Sequence, residues 1–416
     1  MATAGRQVWD VVVVGASFGG AACALAAAHD GLRVCVIERK RDPGIKLHTT
    51  GIIVKEAAEQ TWLNRMPATL VQRVERVRLY APNLRSVALA APGYYFLTTD
   101  TPNVMRWLAD ELRALGVELR LQQSFTDATR EGDGWQVKDL GSTRYLVGAD
   151  GAKSRVAERT GLGRVDDFLY GIEYEFAGLQ LPEPDALHCF ISKRFAPGYI
   201  GWVAQNPTGV QLGLAGRHTN AQARGPDIDG FRQLVGDVVG LPVAATPTAT
   251  RAGLVPCGGP VSRIAAPGVM LTGDAAGMVS PVTAGGIHSA WQHGWDIGEA
   301  IARHIRGDGP APEQVATHGI PGLRFKRALR WTYDRCQLDW PFDLLLYSAP
   351  LRWAAEQVYF HKRRAKPAPS AERQRTAHPA SHRPTGQGKG AASAPLPAPA
   401  PAATTSTAAP ATRRNR

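Results

Sequence analysis

The chain opens its regular structure with four consecutive valines, Val11–Val14, bounded by Gly15. An unbroken apolar run of this length predicts a strand buried on both faces of a parallel sheet. The small-residue stretch Ala21–Ala28 predicts a helix that Asp30-Gly31 ends, and residues 33–37 predict a second strand. Residues 39–51, punctuated by Pro43, Gly44 and Gly51, form a polar loop of the length that carries function rather than mere connection. A helix over 52–63 and short strands over 74–79 and 86–89 follow. Val104, Trp107, Leu108, Leu112 and Leu115 recur at helical spacing, so 102–115 is a helix that Gly116 stops. Strands at 118–122, 134–138 and 144–147 read as a β-meander.

Over 170–179 the alternation is clean: Ile172, Tyr174 and Phe176 share one face, Glu173 and Glu175 the other. With strands at 188–191, 199–204 and 210–215, this predicts a mostly antiparallel sheet with one wet face. A last strand at 269–272 and a helix at 287–305 complete the pattern. The fold expected is α/β: a Rossmann-like nucleotide domain over 1–165 and 253–310, with an inserted β-sheet substrate domain over 166–252 that part of 75–100 joins. Helices over 311–365 would cap the cavity between them, and 366–416 is a tail.

The turn chemistry sharpens the first unit. Gly15-Ala16-Ser17-Phe18-Gly19-Gly20 follows the Val strand and opens the Ala-rich helix, with Ser17 where the usual G-x-G-x-x-G has its middle glycine. Gly15 permits the tight turn and Gly20 close helix packing, leaving amides free to face a pyrophosphate. Glu38 closes the second strand, where a carboxylate can accept from a ribose diol. Three glycines interrupt the uncharged stretch, which argues against a membrane span or signal peptide. Two further strand-end motifs follow: Gly148-Ala149-Asp150-Gly151 leading to Ser154-Arg155, and Gly273-Asp274-Ala275-Ala276-Gly277. Asp274 stands where a carboxylate can bind a ribityl hydroxyl. Gly285-Gly286 opens the last helix, whose amides can face a phosphate or the polar edge of a flavin ring.

Composition changes this picture little. Of a net charge of +12, residues 361–416 contribute +10, so the basicity belongs to the tail and specifies no nucleic acid. That tail is rich in Pro, Ala, Ser and Thr without Phe, Trp or Tyr and is expected to be disordered. Five scattered cysteines form no C-x-x-C pair or metal spacing, which suits a reducing cytoplasm. Residues 320–360 are dense in aromatics, and Pro341 breaks them into at least two helices. They would cap the substrate cavity; with His361-Lys362-Arg363-Arg364 beside them, a peripheral membrane contact is the alternative.

The three motifs, in this order from Gly15 to His288, resemble the FAD-dependent oxidoreductases of the p-hydroxybenzoate hydroxylase structural group, whose nucleotide domain is glutathione-reductase-like. Within it, GDAAGMVSPVTAGGIHSA and the upstream GLVPCGGP are most similar to the geranylgeranyl reductase family. The resemblance implies FAD, with Gly15, Ser17, Gly19 and Gly20 at its pyrophosphate and Glu38, beside Arg39, at the adenosine ribose. It implies Arg106 near the phosphates or ribityl chain, Asp150 at the nucleotide motif, and Gly273, Asp274 and Pro281 along the ribityl side. Gly285, Gly286 and Ile287 would line the ring. Of the family's Tyr-x-Trp-x-Phe-Pro stretch only Trp202 remains, and His48 stands where the family often has cysteine.

Reduction of an alkene by reduced flavin needs hydride from the cofactor and a proton at the other carbon. His48, His288 and Trp202 are the catalytic candidates, the two histidines more readily structural than proton-donating. The leading expectation is an enzyme drawing electrons from NAD(P)H or another donor to reduce C=C bonds of a small apolar substrate, an isoprenoid among the candidates. A monooxygenase using NAD(P)H and oxygen is the alternative, and a non-catalytic flavin-binding protein the second. A halogenase reading is weaker because Trp-x-Trp-x-Ile-Pro is missing. The sequence does not fix an oligomeric state.

Overall fold

A computed structural model describes residues 8–218, 225–242, 244–320, 322, 324–335 and 337–360. The described residues belong to one compact unit; the tail over 366–416 lies outside the described residues.

The Val run becomes the strand Val8–Val14, fully buried from Val11 to Val14, at the middle of an eight-stranded sheet. Its neighbours are Val34–Glu38 on one side and Gly141–Gly148 on the other, both parallel. Beyond these lie Glu118–Leu121 and Val269–Leu271, again parallel. The strand at 118–121 is therefore a full sheet member, not part of a meander. The meander comprises Ala128–Glu131, Gly134–Val137 and Gly141–Gly148, the last of which runs on into the parallel sheet. Parallel pairing follows because the helix Thr101–Ala114 returns the chain across the sheet before residue 118.

One face of this sheet is covered by the helices Phe18–His29, Thr101–Ala114 and Ile287–Arg306, which share a core with Trp62, Trp291 and Trp295. The 287–306 helix lies almost on the backbone of the first. A Cβ at Gly294 would sit 2.1 Å from the Gly19 carbonyl oxygen, and one at Gly298 would sit 2.3 Å from that of Cys23. The short helix Pro312–His318 docks here too, through the buried His293, whose ring bridges Thr272 Oγ1 and the Ala316 carbonyl. Desolvation pushes His293 down to about 4, so it is a neutral tether. Residues 312–318 thus belong with the nucleotide domain and not with a cap.

The second sheet runs in the order 249–256, 168–177, 209–217, 200–206, 186–191, 76–80, 86–90. It is antiparallel except between 186–191 and 76–80. Its edge strand Ala249–Pro256 pairs with Phe168–Ala177 along its whole length, so the chain leaves this sheet after Pro256 and not at 253. The expected wet face is not there: strands 186–191, 200–206 and 209–217 are buried on both sides. The helix Ile228–Val239 covers one face with Ile228, Phe231, Val235 and Val239. The other face meets Ile52, Val54, Ala284 and the C-terminal helices. The segment at 52–63 is not one helix but a short strand, Ile53–Val54, then Lys55–Gln60 and a turn of 3₁₀ helix at Trp62–Arg65.

At the C-terminus three helices are described: Arg324–Arg335, Trp340–Leu345 and Ala349–Tyr359. Pro341 does not break a helix; it sits in the first turn of one, where a missing N–H costs nothing. Arg330 and Gln337 bind the carbonyl and amide of Gly198, and Asp343 accepts from the Asn83 amide. These ties lash the helices to the second sheet.

Candidate active site

Parallel strands present their loops at one end, and ligands bind there. All four acidic or glycine motifs emerge at that end, from adjacent strands ending at Val14, Glu38, Gly148 and Leu271. Their turns interlock. The Gly15 amide donates to the Ile37 carbonyl, that of Ala149 to Val14, and that of Thr272 to Gly148. Gly15 has φ +104°, and a Cβ there would lie 2.3 Å from the Ala149 carbonyl oxygen; a Cβ at Gly20 would lie 2.0 Å from that of Gly15. Any side chain at either position forces the turn apart.

Ser17 caps the first helix with φ −86° and ψ −175°, an extended conformation open to any residue, and its exposed hydroxyl makes no cap bond. This is why serine is tolerated there. The helix beyond it starts at a positive dipole end with no side-chain cap and no acidic residue in the first turn. Glu38 is buried, its Oε2 accepting from the Ala16 amide at 3.1 Å and its Oε1 from the Lys40 amide at 3.1 Å. The carboxylate thus locks the glycine turn to the end of the second strand. Arg39 beside it is exposed.

Asp150 accepts from Ser154 Oγ at 2.6 Å and from the amides of Arg155 and Val156 at 2.7 and 3.1 Å, so it organises the start of the helix Arg155–Thr160. Arg106 is forked onto Asp42 and also donates to Asn103. Its guanidinium holds the 39–51 loop, with Asp42 held below the usual carboxylate range in return. Asp274 lies half-buried in the 3₁₀ turn Gly273–Ala276, and desolvation pushes it up to about 6. Pro281 is buried, while Gly285, Gly286 and Ile287 lead into the uncapped N-terminus of the 287–306 helix. A glycine cradle that no Cβ can enter, a free helix N-terminus and a desolvated carboxyl suit a dinucleotide's pyrophosphate and polyol. The residues present fit FAD.

The second sheet faces this end. Tyr199 donates from its hydroxyl to the Thr283 carbonyl, and His48 Nδ1 lies 2.8 Å from the Ala252 carbonyl oxygen. Trp202 is buried on the sheet face, its Nε1 donating to Glu173 Oε2 at 2.9 Å. His48 is exposed and His288 half-buried at the helix start. The sequence reading missed Glu173 and Arg251. Glu173 was assigned with Glu175 to a solvated face, yet it is 3% exposed, because the loop after Glu38 and the C-terminal helices cover that face. Among the described residues no His, Cys, Asp and Glu cluster could hold a metal. The four described cysteines are buried and unpaired, with Cys23, Cys35 and Cys189 pushed up to about 12 by burial.

The chain matches the FAD binding domain family over residues 8–315. It is 29% identical over 317 residues to digeranylgeranylglycerophospholipid reductase 2 of Methanopyrus kandleri, covering 72% of this chain and 78% of that one. It is 30% identical over 319 residues to the digeranylgeranylglycerophospholipid reductase of Methanothrix thermoacetophila, covering 70% and 77%. In fold it is similar to a geranylgeranyl bacteriochlorophyll reductase-like protein from Thermoplasma acidophilum, with TM-score 0.71, 19% identity, and 86% and 98% of the two chains covered. It is also similar in fold to a flavin-dependent brominase, with TM-score 0.65, 16% identity, and 85% and 90% covered. The interlocked glycine and carboxylate turns and these relatives agree: the chain belongs to the FAD-dependent oxidoreductases of the geranylgeranyl reductase family.

Proposed function

We propose that this FAD-dependent oxidoreductase reduces C=C bonds of an apolar isoprenoid chain, with NADH or NADPH as the electron source. The observation that carries the reading is the apolar face of the second sheet, with Leu169, Cys189, Ile191, Trp202, Ala204 and Ala215, turned toward Ile52, Val54 and Ala284 of the flavin side. The digeranylgeranylglycerophospholipid reductases among its relatives support the same substrate class. Bound FAD supplies the hydride chemistry; the chain's part is to orient, to exclude water and to hold charge. Glu38 and Asp274 fix the cofactor's polar ends, and the sheet keeps the reacting carbons dry.

The substrate reaches the site from a lipid surface. Trp331, Trp340, Leu344 and Trp353 are 59–72% exposed on the C-terminal helices, beside the exposed Arg327, Arg335 and Arg352. Aromatic side chains interleaved with cations suit the interface of an anionic bilayer. Among the described residues no helix is long and apolar enough to cross a membrane.

The test is anaerobic turnover of the purified yellow protein with NADH or NADPH and a geranylgeranyl lipid, read by product mass. A product heavier by two hydrogens per reduced bond is expected. A product that forms only in air and gains an oxygen atom would favour the monooxygenase instead. Flavin that no donor or substrate bleaches would favour a non-catalytic protein.

A further inference from the structure

A polar seam crosses the second sheet and ends on the loop that follows Glu38. Trp202, Gly213, Glu173 and Arg251 stand opposite one another on four adjacent strands, so their side chains share one face. Trp202 donates to Glu173; Arg251 pairs with Glu175 and lies 3.6 Å from Glu173 Oε1. The same guanidinium donates from Nη1 to the Thr49 carbonyl at 3.3 Å. Beside it, His48 rests on the Ala252 carbonyl, and only glycine fits at 253, where a Cβ would lie 2.6 Å from His48 Nδ1. From the nucleotide domain, Thr99 Oγ1 donates to the Gly51 carbonyl and Thr101 Oγ1 to that of Thr50. Residues 48–51 are therefore pinned from both sides, and Arg251 is the charged pin.

The charges do not balance. Glu173 and Glu175 share one guanidinium, with the Glu173 and Arg251 side chains 4% and 9% exposed. Glu173 Oε1 has no hydrogen-bond partner, nor has the amide nitrogen of Gln211 on the same face. An uncompensated buried carboxylate is costly, so the acid form is favoured. Burial pushes Glu173 up to about 7 and Glu175 adds to the rise, against the pull of Arg251 and Trp202. While Glu173 is neutral, Arg251 is shared between Glu175 and Thr49. Once Glu173 ionises, its Oε1 competes for the guanidinium and draws it off the Thr49 carbonyl. The titratable or charged groups facing Glu173 are Glu175 from its own strand and Arg251 from the edge strand; His48 of the loop lies against Ala252 and Gly253, further along that edge strand.

We infer that Glu173 and Arg251 are positioning residues, a proton-dependent clamp that holds the 48–51 loop against the second sheet and frees it when Glu173 ionises. The proposed function enters only in what the loop covers, the approach to the flavin; the clamp stands without it. Lys46, exposed just before the loop, gives a direct readout. In the flavin-loaded full chain, the rate of tryptic cleavage after Lys46 is measured from about pH 6 to about pH 8 and normalised to a peptide substrate at each pH. Wild type is expected to be cleaved about tenfold faster at the upper end. Glu173→Gln should stay slow throughout, and Arg251→Met fast throughout. Where Arg251→Met does not fold, Arg251→Lys keeps the charge without the fork and should be fast at low pH with flavin absorbance intact. Equal pH dependence in wild type and Glu173→Gln, or slow cleavage of the Arg251 variant at every pH, overturns the clamp. No turnover is needed, so a failed clamp and a failed alkene reduction are told apart.

Discussion

Glu173 differs from an ordinary glutamate in the direction of its linkage. Its folded-state pKa is raised to about 7, above the unfolded value, so the native state binds the extra proton. Stability associated with it is present at low pH and falls as pH rises through that window. Glu173→Gln is therefore expected to raise Tm by a few degrees at about pH 8 and to leave it unchanged at about pH 4, measured by scanning calorimetry. Under the proposed function the Asp274 carboxyl binds the cofactor, so Asp274→Ala should weaken FAD binding by about tenfold to hundredfold in a fluorescence titration. Ser17→Gly should change that affinity by no more than about twofold, since the backbone there asks nothing of glycine. Glu38 and Asp274 could be singled out in the sequence because one closes its strand and the other stands in the turn just after its strand. Glu173 could not: alternation tells which residues share a face but not what covers it.

At the scale of elements, the central strands of the two larger sheets were read because period two and glycine punctuation are local signals, while the strands at 71–74, 96–99, 128–131 and 249–256 were not. The helix 228–239 was missed, although Ile228, Phe231, Val235 and Val239 repeat at intervals of three and four. It covers one face of the central strands 186–191, 200–206 and 209–217, which are buried on both sides, and Phe231→Ala should cost about 3–5 kcal/mol in denaturant unfolding. The pairing of 118–121 with 34–38 also escaped, since strand partners are set by the return path of a helix and not by the strand itself. The contact between the first helix and 287–306 is tighter still. Gly294→Ala puts a methyl 2.1 Å from a backbone oxygen of the flavin-turn helix. It is expected to cost about 1–3 kcal/mol and to weaken FAD retention on gel filtration.

At the scale of the whole molecule, the described residues set a body of three sheets, of eight, seven and three strands, against an apolar, cationic rim. Flotation with anionic vesicles should carry the protein upward. Combined Trp331→Ser, Trp340→Ser and Trp353→Ser exchange should abolish flotation while leaving bound flavin unchanged; flotation that survives the exchange would place the contact elsewhere, and a fall in particle mass by light scattering on the exchange would make the rim a self-interface. The three motifs of the nucleotide-binding end were legible because they lie at strand ends in chain order. The handover points at Pro256 and around 312–318 were not, because they depend on which sheet or helix a segment docks against. The central claim is that alkene reduction draws on electrons held at the flavin site. It is tested most directly by bleaching the purified yellow protein with dithionite in the absence of oxygen and then adding a geranylgeranyl lipid. Return of the yellow absorbance in step with lipid added is the result expected; flavin that stays bleached until air is admitted would contradict it.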